Sequence, residues 1–236
     1  MDRIKMKRKA LQAAFPHTIP ILAGFGFLGI SYGMLMSAAG HPVWLSVAMS
    51  IFVYAGSMQF VTIELLAMAF APVQAFLMAV MVNARHIFYG ISMLEKYGNM
   101  GGAKPYLIFG MSDETFSINY TAKAPDGVDK KWFMVWITVL NHLYWVLGTL
   151  AGAVLGNVLP FDTEGLDFAM TAMFVVILLE QLQKKQSRPT ALLGLGISAL
   201  CLLIFGAGDF IIPAMVGILL ALAVLQKPLE KAGAAV

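Results

Sequence analysis

Tyr54-Ala55-Gly56-Ser57-Met58-Gln59-Phe60 stands in the middle of an apolar run from about Val43 to Phe70. Adjacent Gly and Ser weaken the hydrogen-bond ladder of a hydrophobic helix, while Gln59 and Glu64 bring polar groups where lipid penalises them. Such a stretch persists in a bilayer only where the freed backbone faces protein or a water-filled cavity. Transporters use interrupted helices of this kind to aim half-helix ends at a substrate near the midplane. The other reading is a Gly-Ser notch that lets a neighbouring helix come close.

The surrounding chain is 59% hydrophobic and 12% charged, with mean hydropathy +0.78. Soluble domains carry about 25% charged residues, so the composition is that of an integral membrane protein. The apolar runs are continuous and rich in Leu, Ala, Met and Phe, where barrel strands would alternate, and they recur at lengths near the ~20 residues that cross a bilayer. An all-α, polytopic bundle of about seven to eight transmembrane helices follows, with one of them interrupted. Residues 1–236 form a single membrane domain: a basic N-terminus at 1–12, a first half at 16–122 and a second half at 132–226.

The first span is expected from Pro16 to Ser37, with Pro16 and Pro20 in its opening turns, where a missing N–H does least harm. The broken stretch follows, then a helix from Pro72 to about Met93 and an apolar segment from Pro105 to Tyr120 with Ser112-Asp113-Glu114-Thr115 at its centre. That segment either crosses the membrane or lies half buried at one face. Further spans are expected at Trp132–Gly156 and Phe168–Leu182, and a final hairpin at Thr190–Phe205 and Asp209–Leu225 turns through Gly206-Ala207-Gly208. Basic clusters at Arg3–Lys9, Lys123–Lys131, Lys184–Arg188 and Lys227–Lys231 place those loops and both termini in the cytoplasm, and the acidic loop at 162–167 outside. Leu28-Gly29 with Gly33 echoes Leu147-Gly148 with Gly152, which suggests a parallel internal repeat.

Charges inside spans carry most of the functional information, because each costs on the order of 2.5–3.5 kcal/mol unless paired or wetted. Arg85 needs an anionic partner, and Glu64, Asp113 and Glu114 are the candidates. It either ties two helices together or meets a substrate carboxylate. Asp113 and Glu114 are adjacent, so on a helix they point about 100° apart and cannot both face one partner. His86 and His142 titrate in the range useful for a proton relay, but the four histidines show no metal-ligand spacing. Cys201 is the single cysteine, so no internal disulfide forms and no thiolate cluster is expected. No G-x-x-x-x-G-K-[ST] loop is present, which favours secondary transport over nucleotide hydrolysis.

Several of these pieces, in order, resemble the AzlC family, the large subunit of branched-chain amino-acid exporters. They are Ala14-Phe15-Pro16 through Gly33, Phe52-Val53-Tyr54-Ala55-Gly56-Ser57-Met58-Gln59-Phe60, Asn83-Ala84-Arg85-His86 with Tyr89-Gly90, Ser112-Asp113-Glu114-Thr115-Phe116 and Asn141-His142-Leu143-Tyr144-Trp145. The likeness covers roughly residues 14–182. It implies export of leucine, isoleucine and valine across the cytoplasmic (inner) membrane, together with a small membrane subunit of the AzlD type and without a cofactor. Members often carry a bulkier residue at the place of Ala84 and Thr at that of Ser112, which leaves side-chain preference open.

The residues themselves suggest the site. Gly56, Ser57 and Gln59 at the break, with Asn83, Arg85, Asn141 and His142, are expected to hold the substrate, and Asp113, Glu114 and His86 to carry a coupling proton. Met58, Phe60 and Phe116 are expected to accept the aliphatic side chain. Two rival classes are an intramembrane hydrolase using Ser57 with His86 or His142, which lacks the G-x-S-x-G pattern, and a passive channel or structural subunit.

Overall fold

The computed structural model describes residues 3–67, 72–83, 85–158, 168–183 and 188–231. Among them every regular element is helical. The acidic loop at 161–167, Ala84 and the basic residues Lys184 and Lys185 lie outside the described residues. The chain divides into two compact units, Met1–Ala169 and Met170–Val236.

In the first unit, α1 (Arg3–Ala38) begins well before the prolines, so Pro16 and Pro20 lie inside it and not in its opening turns. The basic segment joins the helix because it has something to rest on. Trp136 Nε1 donates to the Lys7 carbonyl at 3.0 Å, and the Lys7 ammonium stands 4.1 Å above the Trp132 ring. The proline-weakened turn is braced by Thr18, whose hydroxyl donates to the Phe15 carbonyl at 2.9 Å and lies 3.0 Å from the Tyr144 hydroxyl. At 36 residues α1 is about 54 Å long, well beyond the ~30 Å of a hydrocarbon core.

Next come α2 (Val43–Phe52) and α3 (Gly56–Ala67), separated by Val53, Tyr54 and Ala55. The expected interruption is therefore present, one residue earlier than the Gly-Ser pair, and Tyr54 takes a left-handed conformation at φ 44°. Gly56 has a different duty: a Cβ there would meet Trp145 Cη2 at 3.2 Å. The helix expected from Pro72 is described as α4 (Pro72–Asn83) and α5 (Arg85–Tyr97). The segment from Pro105 is divided into α6 (Lys104–Phe109) and α7 (Asp113–Thr121). Ser112 caps α7, its hydroxyl accepting from the Thr115 N–H at 3.2 Å, so the chain re-enters a helix with Asp113 and Glu114 in the first turn, where acidic groups are favoured.

The longest partner of α1 is α8 (Lys130–Val158), capped by Asp129 accepting from the Trp132 N–H at 2.9 Å. Contacts run Lys7 to Trp136, Thr18 to Tyr144, Gly29 to Gly148 and Ser37 to Gly156, so the two helices are parallel. The two glycine motifs that echo each other in sequence form the two sides of this one contact. A Cβ on Gly29 would sit 3.0 Å from the Trp145 carbonyl, and one on Gly152 would enter the Ile30 backbone. Around the basic ends, Ala14, Met93, Tyr97, Leu107, Phe133 and Ile137 form a buried apolar core.

Beginning at the unit boundary and lying mostly in the second unit, α9 (Phe168–Gln183) precedes α10 (Arg188–Asp209) and α11 (Ile211–Lys231). Gly206 breaks α10 at φ 75°, within the expected turn. Gly217 of α11 faces α10, where a Cβ would stand 3.0 Å from Ile197 Cγ2. Three described helices are individually long and apolar enough to cross a membrane: Ile4–Ala38, Lys130–Val158 and Arg188–Gly206. The two pieces of the interrupted helix, α2 and α3, are each too short to do so alone.

Candidate functional site

Ser57 is the second residue of α3, Arg85 the first of α5 and Asp113 the first of α7. These three side chains meet. Arg85 Nη1 lies 2.7 Å from Asp113 Oδ2, and Arg85 Nη2 donates to Ser57 Oγ at 2.9 Å. The Tyr89 hydroxyl donates to Asp113 Oδ1 at 2.9 Å, so both carboxylate oxygens are engaged. The starts of α3 and α7 thus come together on one spot, each with unsatisfied N–H groups equivalent to about +0.5 charge. The Arg85 guanidinium between them adds to that field, and the Asp113 carboxylate offsets it. Arg85 and Asp113 remain 32% and 24% exposed, so the pair can still meet a solute.

Of the three carboxylates that could have answered Arg85, Asp113 does so. Glu114, one residue on, lies beside Ser112 and within electrostatic reach of Tyr54 and Arg85. The adjacent acids therefore serve different neighbours, as helical geometry requires. His86 Nδ1 is 3.0 Å from the Asn83 carbonyl, and its ring meets Tyr89 edge-on at 5.4 Å. Asn83 turns back on its own helix, donating to the Ala79 carbonyl at 2.9 Å.

A second group holds the break open. Gln59 is fully buried, donates to Ser50 Oγ at 3.0 Å and accepts from Trp145 Nε1 at 2.9 Å, while Ser50 donates to Thr149 Oγ1 at 2.8 Å. The amide thereby joins α2, α3 and α8 across the unwound residues. His142 Nε2 lies 3.2 Å from the Ser50 carbonyl at the end of α2, and its Nδ1 is 3.1 Å from the Tyr106 hydroxyl. Its ring faces Tyr54 at 4.3 Å. Asn141 donates to Thr115 Oγ1 at 3.0 Å and so fixes α7 to α8. The expected set is thus divided: Ser57 and Asp113, at the starts of α3 and α7, meet on Arg85, whereas Gln59, Asn141 and His142 brace the elements around them.

Tyr54, Tyr89, Trp145 and the Ser50–Thr149 pair were not singled out from sequence as site residues. The pattern held one usable signal, the position of Tyr54 and Tyr89 within the same motifs as Ser57 and Arg85. At the far end of α7 the Lys96 ammonium donates to the Tyr120 carbonyl and, at 3.4 Å, to that of Asn119. It is held below the ordinary lysine value, first by burial and then by Lys130 and Lys123. Among the described residues no group of His, Cys, Asp and Glu is arranged to hold a metal ion, and neither described histidine of the rival hydrolase is hydrogen-bonded to Ser57.

A family model described as "AzlC protein" matches residues 20–159. The chain is 56% identical over 223 residues to the "Branched-chain amino acid transport protein AzlC" of Bacillus subtilis (strain 168), covering 94% of this chain and 88% of that one. It is 45% identical to an "Uncharacterized membrane protein" of Haemophilus influenzae, covering 94% and 91%. Identity to the "Inner membrane protein YgaZ" of Escherichia coli is 30% over 179 residues, 72% of each chain. No solved structure matches.

Proposed function

Because the chain belongs to the AzlC family, we propose that it is a secondary transporter that exports branched-chain amino acids from the cytoplasm, acting with a small membrane subunit of the AzlD type. It is a membrane protein, as its relatives are named, with helices long and apolar enough to span a bilayer. The excess of basic residues beside its helices supports a place in the cytoplasmic membrane with both termini inside. The observation that carries the reading is the meeting of the α3 and α7 starts on the Arg85 guanidinium. Converging N–H groups and a guanidinium offer a carboxylate what water would otherwise supply.

Asp113 couples binding to a proton. Its carboxylate holds Arg85 through Oδ2 and accepts from Tyr89 through Oδ1, so it touches the group that would meet the substrate carboxylate. Protons entering on Asp113, Glu114 or His86 would exchange for amino acid leaving. Gly56 and Ser57 form the edge of the substrate site, Asn83 and His86 its α4–α5 side, and Gln59, Asn141 and His142 its frame. The stacked rings of Tyr89 and Phe116, 4.3 Å apart, together with Met58 and Phe60, supply apolar surface for the branched side chain.

Ser57 fits this role better than that of a nucleophile, since its hydroxyl accepts from a guanidinium and so gains no basic activation. The test is leucine uptake into inverted vesicles containing the chain and its small subunit. Uptake should rise several-fold when a proton gradient is imposed and collapse with a protonophore. Absence of amino-acid movement under any gradient would overturn the proposal.

A further inference from the structure

Arg85 and the helix starts account for one end of a zwitterion and leave its ammonium unassigned. Resting on the export reading above, we infer that Glu114, with Tyr54, Ser112 and Asn141 around it, is the subsite for the ammonium group of the amino acid. Asp113 is not available for that duty, because both of its oxygens are engaged by Arg85 and Tyr89. Glu114 follows it in the chain, points elsewhere and keeps part of its surface exposed.

The second observation is independent of the acid. The Tyr54 hydroxyl and Asn141 Oδ1 are buried and make no hydrogen bond, although Tyr54 is 7% exposed and Asn141 not at all. Both converge on the same corner of α7. Asn141 reaches Thr115 through its Nδ2 at 3.0 Å, and Tyr54 lies beside Ser112, Glu114 and Thr115 without closing a hydrogen bond to them. Buried acceptors without donors are unfavourable, and native proteins keep them chiefly where a ligand or water completes them. An ammonium group brings three N–H donors and no acceptor. It matches the Glu114 carboxylate with the phenol oxygen of Tyr54 beside it and the amide oxygen of Asn141, which is held to the next residue, Thr115.

Distance and charge agree. The ammonium and carboxylate of an amino acid hang on one carbon, so their subsites must adjoin. Glu114 is the next residue after Asp113, whose Oδ2 is 2.7 Å from Arg85. The guanidinium and helix starts form a positive pole and Glu114 a negative one, an arrangement that suits a molecule carrying both charges and disfavours a simple acid or amine. Left-handed Tyr54 lies in the interruption itself with its ring against His142, so closing a hydrogen bond on its hydroxyl would report occupancy directly to the break.

The test is thermal stabilisation of the purified full-length protein, titrated with L-leucine and with 4-methylpentanoate, which keeps the carboxylate and branched tail but has hydrogen in place of ammonium. Wild type should prefer leucine by about tenfold or more, the weight of a charge-assisted hydrogen bond. In Glu114→Gln that ratio should fall toward one, with 4-methylpentanoate affinity kept. Tyr54→Phe, which preserves the ring and its contact with His142, should lower the ratio several-fold and decides the matter if Glu114→Gln does not fold. A ratio unchanged in these variants overturns the ammonium assignment while leaving export intact. Wild type stabilised by neither ligand overturns the export reading and this subsite with it.

Discussion

A Cβ placed on Gly148 of α8 would lie 3.3 Å from the Cα of Gly29 in α1 and 3.0 Å from the Phe25 carbonyl oxygen. The two helices therefore touch backbone to backbone. In lipid, where apolar side chains gain little by meeting one another, such close approach supplies van der Waals contact that bulkier residues would prevent. Gly148→Val should lower stability by about 1–3 kcal/mol or more, read as a fall in melting temperature in detergent. Gly26→Ala is the control: a Cβ there meets nothing within 4 Å, and the variant should melt with wild type.

Arg85→Met and Asp113→Asn should each destabilise the protein, because each leaves a partly buried charge facing an empty place. Combined, they should cost less than the sum of the two by about 1 kcal/mol, a coupling that a double-mutant cycle in thermal unfolding resolves. Strictly additive effects would mean that the 2.7 Å pair contributes nothing to the folded state. Transport should be lost in all three variants.

Replacing Gln59 by Leu keeps the volume and removes the brace, leaving Ser50 and Trp145 without their partner. The expected loss is about 2–3 kcal/mol, since each buried polar group left unsatisfied costs on the order of 1–3 kcal/mol. The same variant should make the peptide bonds around Tyr54 more accessible to limited proteolysis. Wild-type cleavage kinetics at that point would show that the unwound residues are held by something else.

How much of this was legible beforehand can be read from two residues. Arg85 announced itself because a guanidinium in an apolar run must find an anion, and physical necessity narrowed the partner to three carboxylates, one of which takes it. Gln59 announced itself too, but its chemistry did not say whether it faced a ligand or its own chain. That depends on Ser50 and Trp145, which lie 9 and 86 residues away and which only folding brings together. The interrupted helix was visible from Gly56 and Ser57, yet the break falls on Val53 to Ala55, because Gly56 is small to admit Trp145 and not to unwind. Pro16 was misleading for a similar reason: the surface that lets helix continue before it belongs to Trp132 and Trp136.

Ser57→Ala should weaken leucine binding about three- to tenfold without changing the fold, since it removes one acceptor from Arg85 and leaves the ion pair in place. A serine-directed fluorophosphonate should label neither wild type nor the variant. Labelling of wild type that disappears in Ser57→Ala would revive the hydrolase.

The parallel contact between α1 and α8 also sets an order of events during synthesis. The first helix leaves the ribosome carrying a glycine groove whose mate begins only at Lys130. Until that mate arrives, the membrane holds a long proline-bearing helix whose glycine groove is open and whose Thr18 lacks Tyr144, an object that quality-control proteases recognise. Premature termination anywhere before α8 should therefore yield a degraded fragment and not a smaller working one, and supplying residues 130–236 in trans should rescue the first half from turnover.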